Sequence, residues 1–146
     1  MAFLPLERER TFEARVEQVP QIVGWIEGVA EEAGLHPRQQ QHLALSTEEA
    51  VMNICSYAYK VPPGEVTIHV SCLPEACRVI FRDRGIPFDP FSLEEPDLKA
   101  PMEEREIGGL GILLMRRVMD EVHYTREGEE NLLRFVVYPR EQDHDI

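Results

Sequence analysis

The chain has 146 residues, 27 acidic against 15 basic, for a formal net charge of −12. That excess argues against a nucleic-acid surface, which needs clustered Lys and Arg to meet phosphates. A hydrophobic content of 43% suits one globular domain over residues 1–146, able to bury a core without disulfides or structural metal. No 18-residue apolar run occurs and Met1–Arg10 turns charged too early for a signal peptide, so a cytoplasmic protein without membrane attachment is expected.

Residues 10–17 alternate crudely, Phe12, Ala14 and Val16 against Thr11, Glu13 and Arg15, which predicts an edge strand. Pro20 suits a first helical turn. Ile22, Val23, Ile26, Val29, Ala30 and Ala33 then follow helical spacing to a stop at Gly34, with Trp25 as a partly buried packing residue. Pro37 restarts a helix expected to reach about Tyr59, before Val61-Pro62-Pro63-Gly64. Val66, Ile68 and Val70 alternate with Thr67, His69 and Ser71, predicting a half-buried strand with His69 toward solvent. Leu73–Ala76 makes the turn and Cys77–Asp83 returns as its partner.

Residues 90–107 are broken by Pro90, Pro96 and Pro101 and carry six acids, Glu94, Glu95, Asp97, Glu103, Glu104 and Glu106. A proline-broken acidic stretch ahead of a glycine-rich helix start reads as a mobile flap. Leu110, Leu113, Leu114, Val118 and Met119 outline an amphipathic helix. Glu121–Thr125 and Asn131–Tyr138 form a closing hairpin around residues 126–130, followed by a charged tail from Arg140 to Ile146. The order predicts an α+β fold with helices on one face of a mainly antiparallel sheet. Cys55, Cys72 and Cys77 form no CxxC pair and have no histidine at zinc spacing. Reduced thiols are expected, although a bond between Cys72 and Cys77 across the turn is geometrically conceivable.

Three stretches carry polar residues that suit chemistry. In Leu45–Tyr59, Glu49 and Asn53 are four residues apart and share a helix face, whereas Glu48 lies about 100° around it. The pair is either surface polarity or a general base beside a metal ligand. In Asp83-Arg84-Gly85-Ile86-Pro87-Phe88-Asp89-Pro90 a strand runs into a turn. In the functional reading Asp83 accepts from an exocyclic amine such as that of adenine, Gly85 lets a flat base approach the backbone, and Pro87 stiffens the turn. Gly108-Gly109-Leu110-Gly111 opens a helix, a junction whose backbone N–H groups and positive potential also suit phosphate. No Gly-Lys-Ser/Thr follows, so it is not a Walker loop.

In order and spacing, Glu49-x-x-x-Asn53, Asp83-x-Gly85-x-Pro87-Phe88-Asp89 and Gly108-Gly109-Leu110-Gly111 resemble the N, G1 and G2 boxes of the GHKL (Bergerat-fold) ATP-binding superfamily. Within it, the short length, Met119–Tyr124 and Tyr57-Ala58-Tyr59 resemble the anti-sigma-factor serine/threonine kinases, over roughly residues 10–138. The resemblance implies a two-layer α/β sandwich of the Bergerat type, a mixed, mainly antiparallel sheet with helices on one face and an ATP lid over about 91–107. It implies ATP and Mg²⁺ as cofactors, Glu49 as catalytic base, Asn53 as Mg²⁺ ligand, and Asp83 with Gly85 and Pro87 at adenine. Gly108, Gly109, Leu110 and Gly111 match the phosphate-side hinge, and Arg105 is the cation in the lid nominated for the γ-phosphate. Pro87 stands where the family often has glycine, and Tyr57 where histidine is frequent.

The implied activity is ATP-dependent phosphorylation of a serine or threonine on a STAS-type anti-anti-sigma protein, with sequestration of a sigma factor and a homodimer contacted near residues 10–17. A nucleotide-dependent partner-switching module without phosphoryl transfer is the competing reading. A detached histidine-kinase domain is disfavoured because no helix bearing a phosphoacceptor histidine precedes the fold, and a gyrase- or MutL-like ATPase because it needs a further transducer domain.

Overall fold

The computed structural model describes residues 5–58, 64–92 and 109–140. Strands β1 (Leu6–Ala14), β2 (Gly64–Leu73), β3 (Ala76–Asp83), β4 (Glu121–Glu127) and β5 (Glu130–Val137) form one sheet in the order β1-β2-β3-β5-β4. Every adjacent pair among the described residues is antiparallel, so the parallel contribution implied by a mixed sheet is absent there. Helices α1 (Val19–Ala33), α2 (Pro37–Asn53) and α3 (Gly109–Val118) complete the α+β fold.

The period of two in each strand decides which side meets the helices. In β2, Val66, Ile68, Val70 and Cys72 are buried, while Thr67, His69 and Ser71 are half-exposed between them. Val79 and Phe81 of β3 and Leu133, Phe135 and Val137 of β5 continue the buried side, and Phe81 meets Phe135 edge-on at 5.1 Å. Onto this face α1 lays Ile22, Ile26, Val29, Ala30 and Ala33, all in one core with Leu43, Ala50 and Val51 of α2. Each Val, Leu or Ile among them withdrawn from water contributes about 1.5–3 kcal/mol, and each Ala less. The opposite face carries Thr67, His69, Ser71, Arg78, Arg82 and Arg134 beside Ile80, Leu132 and the buried Val136. There His69 lies 2.9 Å from Glu7 and 3.2 Å from Glu9, on the solvent side as expected.

Local signals set the helix ends. Gly34 adopts φ 90°, a left-handed conformation that costs glycine nothing, and its N–H reaches the Ala30 and Glu31 carbonyls to close α1. His36 caps α2 by accepting from the Arg38 N–H at 3.1 Å, and Pro37 takes the first turn, where no N–H is needed. Trp25 is half-buried against the core, its ring edge-on to Phe12 at 5.8 Å.

Several boundaries depart from the periodic reading. The edge strand runs 6–14 rather than 10–17: β1 pairs with β2 from Leu6↔Cys72 to Ala14↔Gly64, and the chain then leaves the extended conformation for a 3-10 turn at Val16–Gln18. The long helix does not run as α-helix to Tyr59 but widens into a π turn at Ile54–Ala58, directly after Asn53. The closing turn is only Gly128-Glu129, with Gly128 at φ 58°, so the β4–β5 ladder extends to Glu127↔Glu130. Cys72 and Cys77 are not separate thiols. They face one another in the β2–β3 register with Cα atoms 4.0 Å apart and are joined in a disulfide. No described helix is long and apolar enough to cross a membrane.

Candidate functional site

β3 ends at Asp83, opposite Asn131 of β5 in the sheet register. The last turn of α2 comes down beside that end. Together they border a small open cleft lined by Ala50, Asn53 and Ile54 on the helix side and by Asp83, Asn131 and Leu133 on the sheet side. Phe88, Pro90 and Tyr124 form its remaining walls. An apolar slot with a few convergent polar groups suits a flat, partly polar ligand.

On α2, Glu49 is half-buried and Glu48 exposed, the consequence of one step around the helix. Burial, and then the neighbouring Glu48 charge, push the Glu49 carboxyl above its ordinary value. Asn53 is only 4% exposed, and its Nδ2 is sealed from solvent with no hydrogen-bond partner. Ser46 and Thr47 of the same helix bury unpartnered hydroxyls as well. A carboxamide at the wall of a cleft with an unmet polar atom fits a role toward a ligand.

Asp83 is also 4% exposed. Its Oδ1 accepts from the Gly85 N–H at 2.9 Å and from Asn131 Nδ2 at 2.9 Å. Burial raises its carboxyl above the ordinary value, opposed by those two hydrogen bonds and by the Arg126 charge, and reinforced by Glu130. Asn131 uses its whole capacity. Its Nδ2 also donates to the Ile86 carbonyl at 2.8 Å, and its Oδ1 accepts from the Phe88 N–H at 3.2 Å and the Tyr124 hydroxyl at 2.6 Å. Arg126 Nη1 donates to the Gly85 carbonyl at 2.8 Å, a second tie between the turn after β3 and the β4–β5 hairpin.

Gly85 is buried beside Asp83, while Pro87 faces solvent at the outer edge of the turn. Gly109, Leu110 and Gly111 form the first turn of α3. Arg105, Gly108 and residues 93–107 of the expected lid lie outside the described residues. The lid's near end is described: Phe91 lies beneath the Arg116 guanidinium of α3 at 4.4 Å from the ring centre, and the Phe91 N–H donates to Asp89 at 2.8 Å. Cys55, beyond Asn53, is pushed up to about 11 by burial and by Glu17, which keeps the thiol protonated and unreactive.

Asn131 and Arg126 are site residues that motif reading missed, and Phe88 and Tyr124, though inside quoted stretches, carried no role there. A signal was present for Asn131, a polar residue in phase with buried Leu133, Phe135 and Val137. Nothing in the sequence alone ties Tyr124 or Arg126 to a turn forty residues earlier.

The donor chemistry accommodates a hard cation. Asn53 offers a carboxamide oxygen a turn from the Glu49 carboxylate. Among the described residues no cluster of three or more His, Cys, Asp or Glu side chains could cage a metal by itself. A Mg²⁺ ion, which keeps waters and shares phosphate oxygens, needs no such cage.

The protein family described as histidine kinase-like ATPase domain matches residues 12–137. Curated relatives include proteins named serine-protein kinase RsbW from Bacillus cereus strain G9842, 28% identical over 138 residues, covering 92% of this chain and 86% of theirs. The protein of the same name from Bacillus mycoides strain KBAB4 is 27% identical over the same shares. Among solved structures, the RsbU and RsbW domains of Rv1364c from Mycobacterium tuberculosis match with a TM-score of 0.65 at 12% identity. That match covers 92% of this chain and 32% of the solved one, so the likeness is one of fold.

Proposed function

This chain belongs to the histidine kinase-like ATPase domain family, and from that membership we propose that it is a cytoplasmic, ATP-dependent serine/threonine protein kinase of the anti-sigma type. Its protein substrate is a STAS-type anti-anti-sigma protein, and in the absence of that antagonist it holds a sigma factor inactive. The observation that carries the reading is the convergence of Asn53 and Asp83 on one cleft although they are far apart in the chain. The names of the curated relatives support the kinase assignment.

Asp83 receives the exocyclic amine of adenine, and the buried Gly85 leaves room for the base against the backbone. Asn53 holds Mg²⁺ through its carboxamide oxygen, and the ion when bound offsets the charge of the phosphates. The first turn of α3, with Gly108, Gly109, Leu110 and Gly111, offers N–H groups to the phosphates, and Arg105 of the lid supplies a cation. Glu49 accepts the proton of the attacking hydroxyl as its oxygen bonds to the γ-phosphorus and ADP departs. The raised carboxyl of Glu49 makes it a better proton acceptor than an ordinary glutamate. A phosphate left on the antagonist carries nearly two negative charges and is repelled by a protein of net charge −12, which releases it. The working form is taken to be a homodimer.

The test is incubation with labelled Mg-ATP and a STAS-domain protein encoded close by. Label on a serine or threonine of that protein, lost in Glu49→Gln while ATP binding persists, supports the kinase. Tight ATP binding with no label on any such protein refutes transfer and leaves a nucleotide-dependent switch.

A further inference from the structure

Asn131 lies among the residues facing the cleft, and no proposed chemical step uses it. Yet it makes more hydrogen bonds than any other side chain there, all four of its positions filled across three segments. A buried carboxamide with every position satisfied is rigid, because any rotation strands at least one partner in an apolar setting. What that rigidity holds is Asp83. With the Gly85 N–H, Asn131 saturates Oδ1, and among the described residues no donor reaches Oδ2.

We infer that Asn131 is a positioning residue that fixes which base the cleft accepts, by locking the Asp83 carboxylate so that Oδ2 is offered as a pure acceptor. The inference rests on the adenine placement given above and deepens it. A base with an exocyclic amine at the six position donates to such an oxygen. A base with a carbonyl there meets acceptor against acceptor and is rejected. A protonated Asp83 would reverse the preference, since its O–H donates to a carbonyl.

The clamp therefore acts on protonation as well as on orientation. Burial pushes the Asp83 carboxyl up, and the Asn131 donor is the foremost of the groups drawing it back down. The charged groups that act on it are Arg126 of β4, which favours the carboxylate, and Glu130 of β5, which opposes it, and Glu65 of β2, Arg82 of β3 and Arg84 of the following turn share a second cleft with Asp83 and Glu130. From the α2 side the cleft is lined by Ala50, Asn53 and Ile54, none of which titrates, and Glu49 lies a turn away. Tyr124 stays a donor, because burial raises its phenol above the ordinary value. Removing the Asn131 donor moves the Asp83 titration to higher pH.

The experiment titrates ADP and inosine diphosphate, each with Mg²⁺, onto the full chain between pH 5.5 and 8 by calorimetry. The wild type should prefer ADP, and any loss of that preference should come on acidification. Asn131→Leu, close in shape but without donors, should lower the ADP-to-inosine-diphosphate ratio about tenfold, the size of one charge-assisted hydrogen bond. Its loss of ADP binding should begin at a higher pH. In an Asp83→Asn background the same Asn131→Leu change should alter the ratio by less than about twofold, since a residue acting through Asp83 has nothing left to act on. Tyr124→Phe removes one of the four bonds and should give a smaller fall in the ratio, which keeps the test alive if Asn131→Leu does not fold.

If the wild type discriminates but Asn131→Leu, or Tyr124→Phe in its place, keeps both the ratio and the pH profile, the positioning role is overturned and the adenine placement stands. If the wild type binds the two nucleotides equally, the adenine placement itself falls, and this inference with it.

Discussion

Asn53→Leu should make the ligand-free protein more stable while removing its response to Mg-ATP. The Asn53 side chain is 4% exposed and its Nδ2 has no partner. A buried donor left unmet costs about 1–3 kcal/mol, and leucine of similar shape removes that cost while adding apolar contact with the neighbouring core. For a domain of this length each 1 kcal/mol moves the melting temperature by roughly 2–4 °C. Mg-ATP at a hundred times its dissociation constant should stabilise the wild type by about 2.7 kcal/mol, more than the leucine gain at the lower end of that range. The assay is thermal unfolding of both proteins with EDTA, with ATP and EDTA, and with Mg-ATP. The variant should melt higher in EDTA and should lose the part of the ATP shift that needs Mg²⁺. A variant that melts lower than wild type by more than 1 kcal/mol would refute the reasoning, because Asn53 would then serve the fold and not a ligand. Retention of the full Mg²⁺-dependent shift would refute the ligand assignment separately.

Two further outcomes follow from named groups. In the proposed mechanism, transfer requires the Glu49 carboxylate. Burial and Glu48 raise that carboxyl, so the single-turnover rate should fall on acidification at a pH above the ordinary value of 4.5. Glu48→Gln removes the like charge and should move the inflection down, and an unmoved inflection would show that Glu48 does not act on it. Gly34→Ala places a Cβ on a backbone at φ 90° and should lower stability by about 1 kcal/mol with nucleotide affinity unchanged, measured by urea unfolding and ADP titration.

The legible parts of this protein were those written in local periodicity. Val66, Ile68 and Val70 face the core because strands alternate, and α1 stops at Gly34 because a left-handed residue ends a helix. Glu49 was separated from Glu48 by helical geometry alone, and their different exposure follows it. Strand ends were less legible: β1 begins at Leu6, ahead of the alternating residues, and ends at Ala14, where the Arg15 N–H turns back to the Glu13 carbonyl at 2.9 Å. The Cys72–Cys77 bond was open on spacing and weighed toward thiols on compartment. Register, which sets the two directly opposite one another, lies beyond composition.

The sequence by itself determined the elements, the motif positions and the family, because each depends on spacing along one stretch of chain. Only the tertiary structure decided what surrounds Asp83. Asn131 reaches it because β5 lies beside β3 in the sheet, and Tyr124 reaches Asn131 because β4 returns along β5. Hydrogen bonds act over about 3 Å in space, whereas motif spacing measures distance along the chain. In this cleft those two measures part company.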